Sequence, residues 1–105
     1  MGAKDDTDFS FIDTIGTSSP KLIAQDDPTR FKLTLQNTGT TNLTIGKSTP
    51  QKPLVAGQGI MLAGGSAIAD GKGGAIEMAT RDKLFAISSA SGGQILALTE
   101  RRSNA

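Results

Sequence analysis

The chain has 105 residues, one domain's worth, and its 36% hydrophobic content permits a single small core. Eleven Lys and Arg stand against ten Asp and Glu, a net charge of +1, without the basic excess that nucleic-acid binding requires. With no Cys and no His, the sequence excludes disulfides, Cys/His zinc sites, thiol catalysis and imidazole acid–base chemistry among its own residues.

Residues 1–8 are polar and charged and read as a flexible N-terminal arm, mobile or ordered by a partner. From Phe9 to Gly16, apolar and polar residues alternate as in a first strand. Thr17 to Pro20 is a turn, Lys21 to Gln25 a short strand, and Asp26 to Thr29 a second turn in which Pro28 fixes φ. Phe31, Leu33 and Leu35 then alternate with Lys32, Thr34 and Gln36. A polar turn at Asn37 to Thr41 follows, and alternation resumes at Leu43 and Ile45. This is the pattern of a β-hairpin with one wet and one buried face.

Residues 47–58 carry Pro50, Pro53 and Gly57 and read as a loop, with Leu54 and Val55 as its anchor. Further strands are expected at 59–63, 75–79, 83–89 and 94–100, with a brief pairing at 66–69 and hairpin turns at Gly71 to Gly74 and Ala90 to Gly93. Phe85 sits in the middle of the strand at 83–89 and is expected in the core. The pattern predicts an all-β fold: a single compact antiparallel β-sandwich, jelly-roll-like, of seven or eight short strands over 9–100, with 101–105 as a tail.

No constellation points to catalysis. Gly57-Gln58-Gly59 lacks the third glycine of a dinucleotide fingerprint, since Leu62 stands in its place. Gly71-Lys72-Gly73-Gly74 lacks the strand and helix that flank a phosphate loop. The acids at Asp5, Asp6, Asp8, Asp13 and Asp26-Asp27 do not have calcium-loop spacing. Glu77 and Glu100, the only glutamates, read as surface residues rather than a glycosidase pair, and no serine has a triad partner. Aromatic residues are sparse, with no Trp or Tyr, which weakens a stacking platform for sugars or bases. The expectation is a non-enzymatic protein that uses no cofactor or metal, binds neither nucleic acid nor membrane, and has no apolar run of membrane-spanning or signal-peptide type. The candidate contact residues are Asp8, Phe9, Ser10 and Phe11, an aromatic pair behind a polar arm, with Pro50, Pro53 and Leu54 of the loop.

The runs Pro20 to Gln25 and Arg30 to Gly46 resemble small β-sandwich virion proteins of tailed bacteriophages. Similar texture continues through Leu62 to Gly65, Leu84 to Gly93 and Ile95 to Glu100. The resemblance implies a capsid decoration (cement) protein. Such a protein would be made in the host cytoplasm and bound to the major capsid protein on the phage head as a homo-oligomer, a trimer at local threefold positions. It would stabilise the shell by binding only its assembled form. The alternative it implies is a tail, baseplate or fibre-associated protein that binds the host surface.

Overall fold

The computed structural model describes residues 3–104 and contains eight strands. These are β1 (Ala3–Ile15), β2 (Lys21–Ala24), β3 (Arg30–Asn37), β4 (Leu43–Gly46), β5 (Ile60–Leu62), β6 (Ala75–Met78), β7 (Leu84–Ser88) and β8 (Gly93–Asn104). They form two four-stranded antiparallel sheets, in the orders β1-β8-β3-β6 and β2-β7-β4-β5. The all-β class and the sandwich-like, two-sheet arrangement are as the alternating pattern predicts. The strands fall close to the expected segments, except that 66–69 forms none.

The sheets meet on a core of Ile, Leu and Ala. Leu33, Leu35, Ile95 and Ala97 come from the first sheet, and Ile23, Leu43, Ile45, Leu62, Leu84 and Ala86 from the second. In β3 and β8 the core residues fall at every other position, so their side chains point at the facing sheet and the intervening ones point out. None of the four phenylalanines is in this core. Phe9, Phe11 and Phe31 are exposed. Phe85, expected inside, is half-buried on the outer face of the second sheet, in register with Leu22 and Gly46.

Two expectations need correction. Residues 30–46 do not form a hairpin: β3 pairs with β8 and β6, whereas β4 pairs with β7 and β5 in the other sheet. Both strands alternate correctly, but a pattern of one buried face does not say which sheet the face belongs to. Ala90 to Gly93 likewise carries the chain from one sheet to the other rather than turning a hairpin. Of all the connections, only that between β4 and β5 stays within one sheet.

Phe31 is also not on the face of Leu33 and Leu35. The register steps from Arg30↔Arg101 to Lys32↔Glu100, so Phe31 is an extra residue on β3, a bulge that turns it outward. The guanidinium of Arg102 lies 5.2 Å from its ring centroid, and Arg30 is buried instead.

The expected divisions at residues 8/9 and 100/101 do not coincide with element ends. β1 and β8 run through both, paired from Ala3↔Asn104 to Ile15↔Gly93. Residues 1 and 2 of the expected arm, and residue 105 of the tail, lie outside the described residues.

Candidate functional site

β1 is the outermost strand of the first sheet and has a neighbour on one side only, β8. At 13 residues it is much longer than the other edge strands: β2 and β6 have four residues each and β5 has three. Short edges offer little template for further pairing, and a long one offers a row of free backbone donors and acceptors.

The pairing decides which way each β1 side chain points. Ser10 and Ile12 lie opposite Ala97 and Ile95, both core residues, so Asp6, Asp8, Ser10 and Ile12 share the inner face. Phe9 and Phe11 lie opposite Leu98 and Leu96 on the outer face. Phe9 is 69% exposed and Phe11 56%, while Leu96 and Leu98 are half-buried. Four large apolar side chains therefore form a patch on the outside of the sheet beside its open edge.

The acids of the inner face are not free. Arg101, across from Asp6 on β8, donates through Nη1 to Asp8 and to Asp6 (3.5 Å), and through Nε to Asp27 (2.8 Å). Asp27 also accepts from the Thr29 hydroxyl at 2.7 Å and the Thr29 amide at 3.0 Å. The Thr29 hydroxyl and the Arg101 guanidinium hold the Asp27 pKa down at about 2 against an ordinary 3.8. The hydrogen bonds from Arg101 to Asp8 and Asp27 push the Arg101 pKa up.

Behind this cluster Arg30, only 2% exposed, donates to three backbone carbonyls: Thr80 at 2.9 Å, Gln25 at 3.0 Å and Asp82 at 2.8 Å. Its planar fork fastens the end of β2 to the segment before β7. Burial lowers its pKa, while the charges of Asp27, Asp26 and Asp82 oppose that shift. Arg30, Asp27 and Arg101 thus brace the part of the sheet on which β1 rests. None of the three stands out in the sequence, because a lone Arg at a strand start usually reads as a surface charge.

The loop 47–58 lies elsewhere, on the second sheet. Leu54 is buried outside the intersheet core, and a Cβ built on Gly46 would stand 3.0 Å from its Cδ1. The Leu54 amide donates to the Ser48 hydroxyl at 3.0 Å and the Gly57 amide to the Thr44 hydroxyl at 2.8 Å, which draws the loop over the outside of β4. Pro50, Pro53 and Val55 are exposed, so of the expected anchor pair only Leu54 is one. The two groups of contact residues read from the sequence are therefore not brought together. Asp8, Phe9, Ser10 and Phe11 line the β1 edge, and Pro50, Pro53 and Leu54 belong to a loop on the other sheet. Ile60 and Met61 make β5 a second edge strand with exposed apolar side chains, one on each face. The sequence does not single it out, because Ile60 and Met61 read there simply as strand.

An open cleft of about 400 Å³ lies between this loop and β7, lined by Asp26, Lys47, Ser48, Thr49, Pro50, Asp82, Lys83 and Phe85. Both of its acids are engaged: Asp82 accepts from Lys47 Nζ at 2.9 Å and Asp26 from the Lys83 amide at 2.7 Å. The cleft has no nucleophile paired with a base. Among the described residues no group of three or more Asp and Glu is placed to hold a metal ion.

No protein-family model and no curated protein matches the chain. A solved structure does: that described as "Bacillus endospore appendages form a novel family of disulfide-linked pili". The TM-score is 0.55 at 16% identity, over 97% of this chain and 91% of that one. At this identity the likeness is one of fold. It overturns the phage reading in both its forms, with the capsid protein as partner, the trimer on the head and the virion as location. Short polar-faced strands, an Asn-Thr-Gly turn and Gly/Ser-rich connections are common to small sandwiches generally and do not single out phage proteins.

Proposed function

We propose that this chain is a non-enzymatic structural subunit that joins with copies of itself to build a bacterial surface appendage. The observation that carries the reading is the free edge of β1, thirteen residues long with Phe9 and Phe11 exposed beside it. The fold likeness to an appendage pilus supports it. The β5 edge, with Ile60 and Met61 exposed, supplies a second contact on a different sheet, and a subunit with two contact sites propagates instead of stopping at a pair. The similar structure is described as disulfide-linked. This sequence has no Cys, so contacts made by these residues are non-covalent: backbone pairing and apolar burial.

We infer further that the sandwich is wound as a jelly roll. The pairs β1·β8, β2·β7, β3·β6 and β4·β5 are those of one long antiparallel ribbon folded at its middle, and rolling that ribbon yields both strand orders. The winding puts β1 on an edge, where it is available to a neighbour.

The test is sedimentation velocity with negative-stain microscopy on the purified chain over a range of concentrations. Linear assemblies that grow with concentration and withstand reductant are expected. A protein that stays monomeric at its solubility limit would overturn the proposal.

A further inference from the structure

We infer that β1 pairs antiparallel with β1 of a second copy, about a two-fold axis at Ser10, so that the two first sheets become one continuous eight-stranded sheet. This rests on the self-assembly reading above and names one of its contacts.

The edge is complementary to itself in one register. Centring the pair on Ser10 sets residue i opposite residue 20 − i of the second copy. Phe9 then faces Phe11 and Phe11 faces Phe9, so four aromatic rings meet on the outer face, flanked by Leu96 and Leu98 of both copies. On the inner face Asp8 meets Ile12, so within the regular stretch from Asp8 to Ile12, which ends where the β1 register shifts, no acid lies opposite an acid. Slipping the register by two residues in one direction sets Phe9 on Phe9 but leaves Phe11 on Thr7. In the other direction it sets Phe11 on Phe11 but leaves Phe9 opposite Asp13, where β1 departs from its regular register. A slip of four toward the N-terminus sets Asp8 on Asp8.

Inward-pointing charges on an edge usually discourage pairing. Here Arg101 already compensates Asp6 and Asp8 from within the same subunit, so the edge approaches a second copy without bare acids at its centre. The middle of the edge, from Asp6 to Ile12, contains no Pro, Gly or Lys to block a ladder.

The absence of native cysteine makes the register directly readable. In Ser10→Cys the two introduced thiols face each other across the axis, within disulfide reach. In Thr7→Cys they lie about 20 Å apart along the strand, far beyond the roughly 7 Å limit for Cα atoms. The full chain carrying each substitution would be oxidised with diamide, resolved without reductant and mapped by peptide mass spectrometry. The expected result is a disulfide-linked dimer of Ser10→Cys in high yield and little dimer of Thr7→Cys. A Ser10→Cys yield no higher than that of Thr7→Cys would overturn the pairing.

Phe9→Ser/Phe11→Ser gives an independent reading, since both side chains are exposed and the fold does not depend on them. It should raise the dimer dissociation constant at least about tenfold with an unchanged circular dichroism spectrum. An unchanged constant would overturn the pairing. Polymers of Ser10→Cys that form without a disulfide between the introduced thiols would reject this contact and leave the appendage reading standing. Ser10→Cys dimers that cross-link but never grow, from a parent that also never grows, would keep this contact and reject the appendage reading.

Discussion

Arg30 shows how much a single side chain can organise in a domain with so small a core. Its guanidinium replaces water for three backbone carbonyls at once. Arg30→Ala leaves those carbonyls without a donor in a closed space, and urea unfolding should show a loss of about 3–5 kcal/mol. Arg30→Lys should recover only part of this, because an ammonium cannot reach three acceptors spread around a plane. Asp27 acts on acid stability. Its folded pKa is about 2 against an ordinary 3.8, so its contribution is fully present above the ordinary value and is lost as pH falls through about 2. Asp27→Asn should lower stability at neutral pH and flatten the acid limb of the stability profile between those two values. An acid limb of unchanged steepness would show that other carboxylates carry it.

At the level of elements, strand positions are legible because alternation in a half-buried strand is strict. Leu33, Leu35, Leu43, Ile45, Ile95 and Ala97 are all inside, as their spacing says. What the sequence does not show is the partner of each strand and any break in parity. Phe31 looks like the first core residue of its strand and is turned out by a bulge beside Arg30, which is buried and bonds carbonyls about fifty positions away in sequence. The β1 edge is half legible. The aromatic pair Phe9 and Phe11 and the polar stretch before it are visible, but not that this stretch continues the strand. A signal does exist in β8: Ile95-Leu96-Ala97-Leu98 is apolar on both faces, as in a strand whose outer face is also partly covered.

Glycine contacts give a sharper test of the element packing. A Cβ on Gly73 would lie 1.9 Å from the carbonyl oxygen of Asn37, the buried residue whose side chain ties β3 to the Thr41 and Leu62 carbonyls. The obstacle is backbone, which cannot rotate away, so Gly73→Ala should cost about 2–3 kcal/mol. Gly16, between β1 and β2, has open space around its Cβ position, and Gly16→Ala should be neutral or stabilise by up to about 1 kcal/mol. Equal effects of the two substitutions in thermal or urea unfolding would contradict the placement of the segment before β6 against the end of β3.

At the scale of the whole molecule, the fold alternates between its two sheets at nearly every connection, and its two longest strands, β1 and β8, form one side of the first sheet. The inner face is buried at Leu33, Leu35, Leu43, Ile45, Ala86, Ile95 and Ala97 of the central strands and sparsely on β1, where Asp6, Asp8 and Ser10 face inward yet remain exposed. β1 is held by backbone pairing and by Arg101, with its aromatic side chains in water, and a neighbour paired along it would cover apolar area that its own core does not. This accounts for exposed phenylalanines in a chain whose other large apolar residues are mostly sequestered.

The most direct measurement compares the parent chain with Phe9→Ser/Phe11→Ser by sedimentation velocity and electron microscopy at matched concentrations. Concentration-dependent polymers of the parent, lost in a variant that keeps its fold, are the predicted result. A parent that remains monomeric, or a variant that polymerises as readily as the parent, would contradict assembly through the β1 edge.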